Sequence, residues 1–306
     1  MENAKLSPVR AVGTSLLRWR RLGLFCLVLA TMLPKCVSIR MSDENVAQYF
    51  ANQPVKPTFG QYRAGERTMH YASMGADTLP MVLFIHGSPG SWDAFIQFFT
   101  DPSLYRHARL VSVDRPGFGK SDLGKTERSL RAQAAAIAPL LRQSRAGQKP
   151  IVVGHSLGGP LAVRLAMDYP DAVGGLVLVA PSVSPDLEQK EWYRVVGDAF
   201  PIRYWLPVEL RVSNQEILPL KGELQQMVPL WTTIRVPVIV IQGDDDPLVP
   251  PANALFTQKM LINAPVTVQM ISGLNHFIPW KRPDLIHDAI LQQMRQQTQS
   301  ITNYRQ

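Results

Sequence analysis

From residue 62 onward the hydrophobic positions stop being scattered and gather into short unbroken runs. Met81-Val-Leu-Phe-Ile-His86, Leu110-Val-Ser-Val-Asp114, Ile151-Val-Val-Gly154 and Leu176-Val-Leu-Val-Ala180 are almost free of polar residues. Runs of this length without alternation predict strands buried on both faces. Thr68-Met-His-Tyr-Ala72 is more mixed and predicts an edge strand, while 40–60, with Pro54, Pro57 and Gly60, predicts a linker. Between the runs, residues 92–99, 127–143 and 157–169 carry helical spacing. Strands and helices therefore alternate, as a mainly parallel sheet covered on both sides requires.

The rhythm breaks after Ala180. Residues 183–231 are rich in Trp, Tyr, Leu and Pro and contain no β-branched run, which predicts an inserted helical cap. Val238-Ile-Val-Ile-Gln242 and Val266-Thr-Val-Gln-Met-Ile271 resume the sheet, with helices predicted at 253–262 and 283–297. The expected layout is an N-terminal segment at 1–40, a linker at 41–61, an α/β core at 62–182 and 232–306, and the cap at 183–231. No repeat with a period of 20 to 50 residues is present.

The N-terminal segment has a different pattern. Arg18-Trp-Arg-Arg21 precedes twelve uncharged residues, Leu22 to Leu33, closed by Pro34-Lys35. Twelve residues rise about 18 Å as a helix, short of a ~30 Å hydrocarbon layer, which suits an export signal better than a full span. A signal anchor is the second reading and a cytosolic protein with an apolar leader the third. Either of the first two places the globular domain outside the cytoplasm, in the second case attached to the membrane.

Composition narrows the class. With 306 residues, 46% hydrophobic and 18% charged, the chain can bury a large core and is neither disordered nor a multi-span membrane protein. The net charge of +8 raises the possibility of nucleic-acid binding, but Lys5, Arg10, Arg18, Arg20 and Arg21 against Glu2 supply half of it. No zinc-finger spacing or RNA-recognition pattern accompanies it, so no nucleic-acid partner is expected. Cys26 and Cys36, the only cysteines, precede the core, which excludes a disulfide or cysteine-based metal site within it.

The chemistry is concentrated in a few loops. Gly154-His155-Ser156-Leu157-Gly158 stands where a strand ends and a helix begins. A serine there occupies a sharp turn, and the residues two places away on each side must be small to avoid collision across it. The Leu157 N–H then points towards a developing oxyanion. A serine hydroxyl needs a histidine base and a carboxylate to orient that base. Of six histidines, His155 is locked beside Ser156, His70 and His107 stand in edge or surface contexts, and His287 falls in a helix expected to be solvated. His276, in the loop after the last strand, is the expected base; the competing reading is a loop-capping histidine.

Gly243-Asp244-Asp245-Asp246-Pro247 follows a strand directly and offers the acid. Asp246 is preferred because the loop has room to turn inward ahead of Pro247, leaving Asp244 and Asp245 to solvent or to capping; Asp186 is the substitute. In His86-Gly87-Ser88-Pro89-Gly90 the Ser88 N–H can serve as second oxyanion donor and Pro89 cannot, with His86 a structural hydrogen-bonder beneath the loop. Trp192, Trp205 and Trp231 are candidates for an apolar roof over the substrate, the alternative being the cap's own core.

His86-Gly87, Asp114-Arg-Pro-Gly-Phe-Gly-Lys-Ser121, Gly154-His-Ser-Leu-Gly158, Gly243-Asp-Asp-Asp-Pro-Leu-Val-Pro250 and Gly273-Leu-Asn-His276, in this order over 62–297, resemble the α/β-hydrolase family. The resemblance implies an eight-stranded, mainly parallel sheet with helices on both faces, a triad in the order Ser156, Asp246, His276, and a structural role for the Asp114 loop. It also implies no metal or organic cofactor. A serine at the elbow departs from the family's haloalkane dehalogenases and epoxide hydrolases, which carry aspartate there. The expected activity is hydrolysis of a small carboxylic ester through an acyl-enzyme. Proline iminopeptidase-like, carbon–carbon bond hydrolase and cofactor-free haloperoxidase-like activities are the alternatives, together with a non-catalytic binding protein on the same scaffold.

Overall fold

The computed structural model describes residues 39–188 and 192–304. The export or anchor segment falls almost wholly outside them. Among the described residues no helix is long and apolar enough to cross a membrane.

Eight strands form one sheet: β1 (Thr58–Ala64), β2 (Arg67–Met74), β3 (Met81–Ile85), β4 (Arg109–Val113), β5 (Ile151–His155), β6 (Gly175–Val179), β7 (Val238–Gly243) and β8 (Val266–Ile271), in the spatial order β1-β2-β4-β3-β5-β6-β7-β8. The β1–β2 and β2–β4 pairs are antiparallel and the rest parallel. Strand alternation divides the apolar runs between two layers. Met81, Leu83, Ile85, Val152, Leu176 and Leu178 enter one cluster, while Val82, Phe84, Val153, Val177 and Val179 enter the other. The first layer is roofed by two helices, Leu130–Leu141 and Gly158–Asp168; the second by the 3-10 segment Trp92–Thr100 and the long helix Pro283–Tyr304.

The expected linker is structured. A helix over Asp43–Tyr49, capped by the Ser42 side chain on the Asn45 N–H, buries Val46, with Phe50 buried just after it. Asp93 also accepts a hydrogen bond from the Met41 N–H at 2.6 Å. β1 follows, so β2 is an inner strand and β1 the edge. The hydrophobic pattern missed β1 because none of its residues is buried, and Gly60 and the polar Thr58, Gln61 and Arg63 interrupt any apolar run.

Among the described residues the α-helices in chain order are α1 Asp43–Tyr49, α2 Pro102–Tyr105, α3 Leu130–Leu141, α4 Gly158–Asp168, α5 Trp192–Asp198, α6 Val208–Ile217, α7 Leu220–Met227, α8 Ala252–Met260, α9 Ile278–Lys281 and α10 Pro283–Tyr304. Between β6 and β7 the chain forms α5, a 3-10 turn at Ile202–Tyr204, α6, α7 and a second 3-10 segment at Val228–Thr233.

Candidate active site

Ser156 follows β5 directly and precedes α4, with φ of 55°. A non-glycine residue held in the left-handed region is strained, and such strain persists only where the surroundings enforce it. They do so through main-chain bonds: the Ser156 N–H donates to the Val179 carbonyl at 2.9 Å, and the Ser156 carbonyl accepts from the Gly159 N–H at 2.9 Å. The flanking glycines are sterically required. A Cβ on Gly154 would lie 2.3 Å from the Gly158 carbonyl oxygen, and one on Gly158 would lie 2.2 Å from that of Ile85.

His276 and Asp246 arrive on the loops after β8 and β7. Their contact, Nδ1 to Oδ2 at 2.8 Å, is buried from both sides. The other Asp246 oxygen accepts from the Leu248 and Val249 N–H groups at 2.9 and 2.8 Å, and Gln242 Nε2 donates to Oδ2 at 3.2 Å. Burial alone would raise the carboxyl, but the His276 contact and the two N–H donors outweigh it and hold Asp246 below the usual carboxylate range. An ionised Asp246 fixes the proton on His276 Nδ1 and leaves Nε2 as the basic nitrogen. Asp244 and Asp245 are exposed, and Asp244 caps the neighbouring loop by accepting from the Gly273 N–H at 2.7 Å. Asp186 is exposed as well.

Ser88, Ser156, Leu157 and His276 line one cavity of about 250 Å³, together with Ser182, Tyr193, Arg194, Ile217 and Leu220. The Gly87 loop lies against the serine: a Cβ built on Gly87 would be 2.9 Å from Ser156 Cβ. His86 is fully buried beneath this loop, with Nδ1 bonded to the Gly87 carbonyl at 2.7 Å and Nε2 accepting the Arg115 N–H at 3.0 Å. Burial, and next the Arg115 charge, keep it well below the usual imidazole range. His155 is likewise pushed down, to about 3, by burial and by the adjacent His276. Its Nε2 donates to the His276 carbonyl at 3.1 Å and so ties the two loops together.

The roof tryptophans do not meet at the cavity. Trp231 is buried in the first hydrophobic layer, edge-on to Phe256 at 5.6 Å, because a large ring at the start of the return to β7 fills space between helices and sheet. Trp192 and Trp205 are 75% and 50% exposed and do not line the cavity; the α5 residues that do are Tyr193 and Arg194. His70 also departs from expectation. It is buried and bonded to Asp114 at 2.7 Å, because the edge moved outward to β1 and Phe59 stacks on its ring. His287 is half-buried between Ser103 and Asp288 rather than solvated.

Sequence reasoning missed Arg115, Gln133 and Glu216, which form a fully buried polar cluster beside the Ser88 loop. Glu216 follows Ser213-Asn-Gln215, which reads as a solvated helix face. The only sequence signal was Arg115 beside Asp114, within the Asp114–Ser121 block.

Residues 80–204 match the model of the alpha/beta hydrolase fold family. The chain is 26% identical over 263 residues to 2-(acetamidomethylene)succinate hydrolase of Mesorhizobium japonicum, covering 74% of this chain and 91% of that protein. It is 35% identical over 151 residues to an esterase of Mycobacterium tuberculosis, covering 48% and 46% of the two chains. Among solved structures, that of E-2-(acetamidomethylene)succinate hydrolase superposes with a TM-score of 0.60 at 22% identity over 78% of this chain and 99% of the other, which supports the shared fold. The strand order, the elbow at the end of the fifth strand, the matching family model and a hydrolase relative aligned over most of its length agree: the chain has the α/β-hydrolase fold and is a hydrolytic enzyme.

Proposed function

We propose that the protein is a serine hydrolase that cleaves a small carboxylic ester through an acyl-enzyme. Ser156 Oγ attacks the carbonyl carbon while His276 Nε2 takes its proton. The tetrahedral oxyanion accepts hydrogen bonds from the Ser88 and Leu157 N–H groups, each worth roughly 3 kcal/mol if typical. Collapse passes the proton from His276 to the leaving alkoxide. Water, deprotonated by the same imidazole, then releases the acid. Asp246 remains ionised and orients His276. No step requires a metal or organic cofactor.

The observation that carries this reading is the buried 2.8 Å contact between His276 and Asp246, with His276 on the wall of the cavity that also receives the strained Ser156. The test is turnover of short-chain p-nitrophenyl esters. Ser156→Ala is expected to abolish it, and retained turnover overturns the assignment.

A second reading concerns the substrate. The alternative is a substrate carrying a carboxylate: Arg194 and Glu188 both line the cavity, and one relative that spans 74% of this chain is named for a succinate derivative. A panel of neutral and acidic acyl substrates separates the two. For location, the reading is export or anchoring by residues 1–40, supported by the basic and apolar blocks there. Unchanged fractionation after their deletion overturns it.

A further inference from the structure

The oxyanion loop is held from the cap side by one carboxylate. Glu216, in α6, is buried and 2% exposed. Its Oε1 accepts from Ser88 Oγ at 2.5 Å and from Arg115 Nη2 at 2.7 Å; its Oε2 accepts from Arg115 Nη1 at 2.8 Å and Gln133 Nε2 at 3.0 Å. A bidentate carboxylate–guanidinium fork fixes the plane of Arg115. From that plane Arg115 Nη2 also donates to the Gly87 carbonyl at 3.0 Å, and His86 donates to the same oxygen at 2.7 Å.

The Gly87 carbonyl and the Ser88 N–H belong to one peptide unit. A trans peptide is planar, with its C=O and N–H pointing in opposite directions. Two donors clamped on the oxygen therefore fix the direction of the N–H, and they polarise the unit so that the N–H donates more strongly. The Ser88 Oγ bond to Glu216 restrains the same residue from its side chain.

We propose that Glu216 is a positioning residue for oxyanion stabilisation: it locks Arg115 onto the Gly87 carbonyl and Ser88 onto itself, so that the cap aims the Ser88 N–H at the reacting carbonyl. This rests on the assignment of Ser156 as nucleophile and of Ser88 as oxyanion donor. Glu216 does not touch substrate in this role. Its effect belongs to the tetrahedral species, because only there is the charge present that the N–H serves.

The test compares the wild type, Glu216→Gln and Ser88→Ala in the full chain. The readouts are kcat and KM for a short p-nitrophenyl ester, inhibition by a boronic acid that forms a tetrahedral adduct, competitive binding of the product acid, and thermal unfolding. Glu216→Gln keeps the size but breaks the fork. It is expected to lower kcat about 10- to 100-fold with KM within twofold, and to weaken the boronic acid in parallel while leaving the product acid unaffected. Ser88→Ala keeps the backbone donor and leaves no unpaired charge. It is expected to lower kcat about 3- to 10-fold in a folded protein.

Wild-type kcat and boronic-acid affinity in folded Glu216→Gln overturn the proposal, as does equal weakening of product and boronic acid. If Glu216→Gln does not fold, Ser88→Ala decides, and unchanged kcat there overturns it. Labelling by a fluorophosphonate is run alongside. A wild type that resists labelling at Ser156 removes the underlying assignment, whereas labelled Ser156 with an unaffected Glu216→Gln removes only the role of Glu216.

Discussion

The floor and the roof of the cavity are built to different standards. In the floor, Ser156, His276, Asp246 and the Gly87 loop stand at the ends of strands, tied by short main-chain and side-chain bonds. The strands beneath, β3, β5, β6 and β7, are buried along their whole length. In the roof, α5 has no buried residue, and Trp192, Val195 and Phe200 are 75%, 63% and 77% exposed. The roof is held to the floor further along, where α6 contributes Glu216 to the buried cluster with Arg115 and Gln133. On the mechanism proposed above, the reacting groups stand on the tightly packed part of the molecule and the roof over them is the part with fewer constraints.

The largest expected effect that sharpens this contrast is in the floor. Asp246→Asn removes the charge that fixes the His276 tautomer and is expected to lower kcat about 10⁴-fold in a protein that still folds, measured as steady-state ester hydrolysis. A change of tenfold or less breaks the claim that the floor carries the chemistry. Next comes the boundary between the regions. Trp231→Ala is expected to cost about 3–5 kcal/mol in urea unfolding, because the buried ring leaves a cavity beside Phe256.

Acid acts on the floor through its buried histidines. His155, at about 3 in the folded chain, starts from an ordinary value of 6.5, and His86 lies well below the same value. Between those limits the unfolded chain binds protons that the folded chain refuses. Stability is therefore full above the ordinary imidazole value and falls as pH drops, by on the order of 1 kcal/mol per pH unit for each histidine. Asp246, depressed in the fold, adds its own loss only below the ordinary carboxylate value. Urea titrations at pH 7 and pH 5 check the slope, and equal stabilities contradict it. The smallest effect is in the roof: Trp192→Ala is expected to change stability by less than about 0.5 kcal/mol.

The same contrast explains what could be read from the sequence. The floor is local: a strand, its terminal glycine and the side chain after it are adjacent in the chain, so Ser156, Asp246, His276 and the Ser88 loop could be picked out by position alone. The parallel strands were visible because burial on both faces leaves unbroken apolar runs. β1 was not visible, since none of its residues is buried and it depends on pairing with β2. Glu216 was not visible because its partners, at 88, 115 and 133, are distant in sequence and a carboxylate among Asn and Gln resembles a solvated helix face. Whether Trp231 lines the cavity or packs in the core was left open by the sequence, because an aromatic in an inserted segment looks the same in either place; the structure puts it in the core.

The central claim is that the His276–Asp246 pair activates the hydroxyl at the elbow. The most direct measurement is mass spectrometry of the peptide that contains Ser156 after reaction with a fluorophosphonate, in the wild type and in His276→Ala. The account predicts a single adduct on Ser156 in the wild type and labelling slowed by at least about 10³-fold in the variant. An adduct on another residue, or equal labelling rates in the two proteins, contradicts it.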